Sequence, residues 1–73
     1  MENRIKQILG VTKQTVLANE SKVPDATVSR IVLGQREPTA KQMFDLTQAL
    51  RRITGNYALS LTDVFPEPQE VKS

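Results

Sequence analysis

Gln14–Leu33, QTVLANESKVPDATVSRIVL, holds two short apolar-patterned runs separated by a break. Val16, Leu17 and Ala18 are the apolar residues of the first run, which reads as a helix over residues 13–21 capped by Thr12. Ser21-Lys22-Val23 forms the turn. Pro24 then stands where a first helical residue belongs, because its missing N–H costs nothing there and its φ is preset. Asp25 beside it suits the positive end of a helix dipole. The second helix is predicted over residues 24–33, with Val28, Ile31 and Val32 inward and Gly34 as its stop. Small Ala18 lets two helices cross closely at a steep angle, and Leu17, Val23, Val28 and Ile31 fill the wedge between them. That packing leaves the opposite face of the second helix free.

Working outward, Ile5, Ile8 and Leu9 fall at i, i+3 and i+4, one apolar stripe of a helix over about 2–9 that stops at Gly10. After the loop Gln35–Pro38, Thr39 caps a longer helix over 40–53, in which Met43, Leu46, Thr47, Leu50 and Ile53 keep the helical period until Gly55-Asn56 breaks it. Ser60, followed three residues later by Asp63, matches a capping box with Asp in place of Glu. It opens a last helix over 61–66 that contributes Leu61, Val64 and Phe65 to the core. The β-branched residues between Ile53 and Thr62 also allow a short strand, with nothing obvious to pair with it. The expectation is an all-α fold, a small five-helix bundle in one domain over residues 1–65. A proline-bearing, mostly polar flexible C-terminal tail is expected over 66–73.

Composition narrows the functions open to such a chain. Seventy-three residues, 38% hydrophobic and 25% charged, support one small globular domain with a modest core. Cysteine and histidine are both absent, which excludes disulfides, thiolate nucleophiles, imidazole bases and Cys/His zinc sites. No cofactor and no metal are expected. No apolar run approaches the roughly 20 residues needed to span a bilayer, and the N-terminal residues lack a signal-peptide apolar region, so the expectation is a cytoplasmic protein without a membrane partner. The net charge of +2 fits basic residues gathered on one face and an ordinary solvated surface equally well, so position has to decide.

Position brings in a family. Gln14-x-x-Leu17-Ala18, Val23-x-x-x-Thr27-Val28-Ser29-Arg30-Ile31, Gly34-x-Arg36-x-Pro38-Thr39, and Leu50 with Ser60-Leu61-Thr62-Asp63-Val64-Phe65 stand in order over most of the chain. In this order and spacing the sequence resembles the Cro/C1-type (lambda-repressor-like, XRE) helix-turn-helix family of phage and bacterial transcription regulators. The resemblance implies a five-helix lambda-repressor-like bundle whose third helix enters the DNA major groove. It puts Lys22 at a turn position where the family often has glycine, implying a left-handed backbone, and Ser21 where the family usually buries an apolar side chain.

On this resemblance Asp25, Ala26, Ser29 and Arg30 face the groove. Arg30 would contact guanine O6/N7 or clamp a phosphate, Asp25 would accept from cytosine N4 or only stabilise the helix start, and Ala26 would touch a thymine methyl. Gln14 would present its backbone amide and side-chain NH₂ to a phosphate, and Arg36 with Lys41 would reach the backbone of the same half-site. Lys13 and Lys22 are further phosphate candidates, whereas Arg51-Arg52 read as a solvated helix end. One helix reads only a few base pairs, so a homodimer on half-sites about 34 Å apart is expected. The Ile53–Leu59 region with Tyr57, and Val64-Phe65, are candidates either for that contact or for simple closure of the core.

The function expected from these residues is that of a sequence-specific, Cro-like repressor acting on a double-stranded DNA operator. The rival is an antirepressor or antitoxin-like module of the same fold that binds a partner repressor protein instead of DNA. A hydrolase built on Asp45 and Asp63 is the poorest reading, because these carboxylates fall on predicted helix surfaces with nothing to tune them.

Overall fold

A computed structural model describes residues 3–66; residues 67–73 of the tail expected over 66–73, and the expected helix start at Glu2, lie outside the described residues. Among the described residues the chain is all-helical. The elements are α1 (Ile5–Leu9), α2 (Gln14–Ser21), α3 (Asp25–Val32), α4 (Ala40–Thr54) and α5 (Leu61–Val64), with no strand between Ile53 and Thr62. No helix among them is long and apolar enough to cross a membrane.

α4 is the hub. Its stripe of Leu46, Ala49 and Leu50 is wholly buried, and α1, α2 and α5 all pack on it, while α3 packs on α2. Ile5, Leu9, Leu17, Ala18, Val23, Val28, Ile31, Leu59, Val64 and Phe65 complete one core, with Ile8, Val32, Met43 and Ile53 at its edge. Burying a side chain such as Leu46 or Leu50 stabilises the fold by about 1.5–3 kcal/mol each. Local signals set the start of α4: Thr39 Oγ1 accepts from Gln42 N at 3.1 Å while Thr39 N donates to Gln42 Oε1 at 3.0 Å, a complete capping box. The expected Ser60/Asp63 box is present too, with Asp63 N to Ser60 Oγ at 3.3 Å and Ser60 N to Asp63 Oδ2 at 2.9 Å. The Ser60 backbone N–H, then the Ser60 hydroxyl, hold the Asp63 carboxyl below its ordinary value.

Several boundaries and burials differ from expectation. α1 starts at Ile5, after Asn3 has turned its side chain to tertiary use: Asn3 Nδ2 donates to the Ile31 carbonyl at 2.8 Å, and Oδ1 accepts from Ile5 N. α2 has Lys13 at its N-cap in place of a Thr12 cap, and Pro24 is the N-cap of α3, its carbonyl accepting the first helical bond from Val28 at 2.9 Å. α4 runs one residue further than expected, to Thr54. α5 ends at Val64, because Phe65 precedes Pro66 and is pushed out of the helical region, to φ −123 and ψ 80.

Val16 and Leu61 are exposed. On α2 the buried residues are Leu17, Ala18 and Ser21, a stripe that rotates Val16 outward. The single turn of α5 buries only Val64 of its own residues, so Leu61 at its first position faces solvent. Leu59, Val64 and Phe65 close the core, which removes the last two as a dimer contact, while Tyr57 stays exposed.

The arginine pair at the end of α4 is also no idle solvated face. Arg51 Nε donates to the Leu59 carbonyl at 2.7 Å and Nη1 to Gln48 Oε1 at 2.8 Å, pinning the α4–α5 loop. Arg52 donates through Nη2 to the Glu20 carbonyl at 3.0 Å and through Nε to Glu20 Oε1 at 3.2 Å, fastening the end of α2 to α4.

Candidate nucleic-acid interface

α2, the turn and α3 form a helix-turn-helix. The two helices meet through Leu17, Ala18, Val23, Val28 and Ile31, all buried, so the wedge predicted between them is filled as expected. Lys22 makes the turn at φ 64 and ψ 23, the left-handed region that a non-glycine residue seldom enters. Its N–H donates to the Ala18 carbonyl at 2.8 Å. Buried Ser21 explains how the turn stays satisfied without an apolar residue there: Val23 N donates to Ser21 Oγ at 3.3 Å, and that hydroxyl points back to the Ala18 carbonyl at 3.4 Å. A polar group at a core position thus replaces ladder bonds that the turn interrupts.

α3 is closed by a Schellman motif. Gly34, at φ 77, donates to the Ile31 carbonyl at 3.0 Å and Gln35 N donates to the Arg30 carbonyl at 2.8 Å. The same Ile31 carbonyl also takes the Asn3 amide, so the C-terminal end of this short helix is anchored to the segment before α1.

With Val28 and Ile31 turned inward, the outer surface of α3 consists of Asp25, Ala26 and Arg30, exposed, and Ser29, partly exposed. The structure brings these predicted residues together on one face. Among the described residues, no side-chain hydrogen bond or ion pair engages Asp25, Ser29 or Arg30. Leu33 extends the same stripe at 65% exposure, an apolar neighbour of these polar residues.

Gln14 is the first residue of α2, partly buried, and no side chain caps that helix or α3. In the first turn of α2 the Val16 N–H donates to the Lys13 carbonyl at 3.1 Å, while no side chain takes the N–H groups of Gln14 and Thr15 or those opening α3. Arg36 is exposed in the loop after α3, which buried Pro38 and the Thr39 capping box tie down. Lys41 sits in the first turn of α4 and pairs with Asp45 one turn on, Nζ to Oδ2 at 2.9 Å. Its side chain is highly exposed, and a pair of this kind is worth about 0.3–0.5 kcal/mol, weak enough to exchange for another anion.

An open cleft of about 400 Å³ runs between α2 and the start of α3, lined by Thr15, Ala18, Asn19, Lys22, Val23, Pro24 and Asp25. Exposed Thr15 and Asn19, four residues apart on α2, border Asp25 there. Their signal was available as an i, i+4 polar pair flanking the buried Leu17-Ala18 stripe. No group of three or more metal-ligating side chains occurs among the described residues. Compared with known proteins, the chain matches no family model, and no curated protein and no solved structure is significantly similar to it.

Proposed function

We propose that this protein is a sequence-specific DNA-binding transcriptional regulator of Cro-like repressor type, acting in the cytoplasm by laying α3 in the major groove of an operator. The observation that carries the reading is the division of α3: Val28 and Ile31 are buried against α2, and Ala26 faces outward with Asp25, Ser29 and Arg30, whose side chains make no hydrogen bond among the described residues. A helix about 10–12 Å across fits the major groove, where base edges offer donors and acceptors to such side chains. Arg30 would supply donors for guanine or a phosphate. Gln14 at the uncapped start of α2, with Arg36 and Lys41, would hold the sugar–phosphate backbone and set the register of the helix. A homodimer would bring two such helices to successive turns of a duplex.

The test is binding to duplexes enriched from a random pool, measured across salt concentrations for the protein and for Arg30→Ala. The expected result is an enriched two-fold site, affinity that falls linearly in log–log with salt by about 0.9 per phosphate contacted, and a loss of about 1–3 kcal/mol in Arg30→Ala with its helical circular dichroism intact. An unenriched pool and salt-independent binding would sink the reading.

One observation favours the second reading, an antirepressor or antitoxin-like module docking on a partner repressor. Leu33 on the outer stripe of α3 and Phe44 on α4 are exposed at 65% and 57%, and apolar anchors in a polar rim suit a protein partner. A one-to-one complex with such a repressor, lost in Leu33→Asp, together with no DNA binding, would move the assignment there.

A further inference from the structure

We infer that Asn3 is a positioning residue for α3, fixing the angle at which its outer face meets a duplex, an inference that rests on the DNA-binding reading above. α3 packs on α2 through the apolar wedge of Leu17, Ala18, Val23, Val28 and Ile31. Burial of apolar surface is non-directional, so the wedge holds α3 in place more firmly than it fixes its roll. Among the described residues one side-chain hydrogen bond reaches α3 from outside the helix-turn-helix: Asn3 Nδ2 donates to the Ile31 carbonyl at 2.8 Å, across 28 positions of sequence. Ile31 lies in the last turn of α3, next to Arg30 and two positions after Ser29.

Asn3 is itself held. Its Oδ1 accepts from Ile5 N at 3.2 Å, and the next residue, Arg4, donates its N–H to the Val64 carbonyl at 2.8 Å. The carboxamide therefore spans the start of α1 and the end of α3, in a segment fastened to α5. An amide carries donor and acceptor on one planar group, so the two bonds fix one orientation of the side chain. A roll of about 10–20° moves a side-chain tip, about 5–6 Å from the helix axis, by about 1–2 Å. A shift of that size takes Ser29 or Arg30 out of register with a base edge, because hydrogen-bond distances span only about 0.5 Å. Phosphate attraction through long basic side chains tolerates it. The tether thus acts on the reading of sequence more than on attraction to any duplex.

The test takes the duplex that the protein enriches from a random pool and measures affinity for it and for a random duplex, with the protein, Asn3→Ala, Asn3→Asp and Thr54→Ala. Asn3→Asp keeps an acceptor for Ile5 N and loses the donor; Asn3→Ala loses both without adding charge. Thr54→Ala is the control for stability, since it removes two hydrogen bonds at the C-terminal end of α4, from Thr54 Oγ1 to the Leu50 carbonyl and from Asn56 N to Thr54 Oγ1. In both Asn3 variants the ratio of enriched-site to random-duplex affinity is expected to fall about two- to tenfold, the equivalent of one net hydrogen bond. The Gly34 and Gln35 amides that close α3 are expected to exchange with solvent faster, with helical circular dichroism retained. Thr54→Ala is expected to keep the parent's ratio. An unchanged ratio in both Asn3 variants, unchanged exchange at Gly34 and Gln35, or an equal fall in Thr54→Ala overturns the inference and leaves the DNA-binding reading standing. If the parent enriches no sequence, the DNA-binding reading falls and takes this inference with it.

Discussion

The pair α2–α3 and the pair α4–α5 are stabilised by different means. α4 and α5 begin in complete capping boxes, Thr39 with Gln42 and Ser60 with Asp63, and Lys41–Asp45 adds an i, i+4 ion pair on α4. α2 and α3 begin at Lys13 and Pro24 with no side-chain cap, and Lys22 between them holds a left-handed backbone. Local interactions help to hold the scaffold helices, whereas the two helices of the proposed interface depend on the wedge of side chains between them and on tethers from Asn3 and Arg52. Helix starts whose N–H groups are already satisfied by caps have less to offer a phosphate, and the proposed interface uses the two that lack side-chain caps.

The comparison breaks most readily at the wedge. Leu17→Ala is expected to cost about 2–5 kcal/mol in denaturant unfolding, because Leu17 is wholly buried and the uncapped helices around it have little else to hold them. A loss below 1 kcal/mol would mean that α2 and α3 are held in some other way. On the scaffold side, Thr39→Ala removes one reciprocal bond of the capping box and is expected to cost about 1 kcal/mol, measured the same way.

Lys22→Gly sharpens the contrast from the opposite direction. Relief of the left-handed backbone exceeds the added chain entropy of glycine, so stability should rise by a net of about 0.5–1 kcal/mol, read as a raised midpoint of unfolding. An unchanged or lowered midpoint would show that the lysine side chain stabilises the turn. The smallest effect belongs to Asp63. Its carboxyl is held below its ordinary value of 3.8 by the Ser60 N–H, so its contribution to stability is fully present above that pH and is lost as pH falls through the lowered folded value. Asp63→Asn should therefore lower stability slightly in the neutral region and converge on the parent in acid, flattening the acid limb of a stability–pH curve; a parallel shift at all pH values would contradict this.

How legible each part was in the sequence follows from the range of the forces involved. The α4 and α5 caps could be read because a capping box lies within four residues, and the Leu46–Leu50 stripe because helical periodicity is local. The outer face of α3 could be read as well, since Val28 and Ile31 being apolar at i and i+3 leaves Asp25, Ala26, Ser29 and Arg30 on the other side. The outward rotation of Val16 could not, because it depends on Ser21 entering the core, and Ser21 enters only because the left-handed turn at Lys22 needs its hydroxyl. The hydrogen bonds of Arg51 and Arg52 could not be read for a similar reason, as their carbonyl partners Leu59 and Glu20 come within reach only when the chain has closed, although Arg52 stays exposed as expected.

Residue order alone determined that five helices form, where Thr39 and Ser60 start two of them, and that Leu17, Ala18, Val28, Ile31, Leu46, Leu50 and Val64 are their inward residues. Those outcomes rest on propensities and spacings that operate within a few turns of backbone. Tertiary structure decided where α1 begins, since the Asn3 side chain is claimed by a carbonyl 28 residues away, and how the helix-turn-helix is held to its support, through Arg52 and the carbonyl of Glu20. Both use carbonyls in the last turn of a helix, that of Ile31 taking the Asn3 amide beside the Gly34 N–H and that of Glu20 taking Arg52, and donors so distant in sequence reach them only in the folded chain.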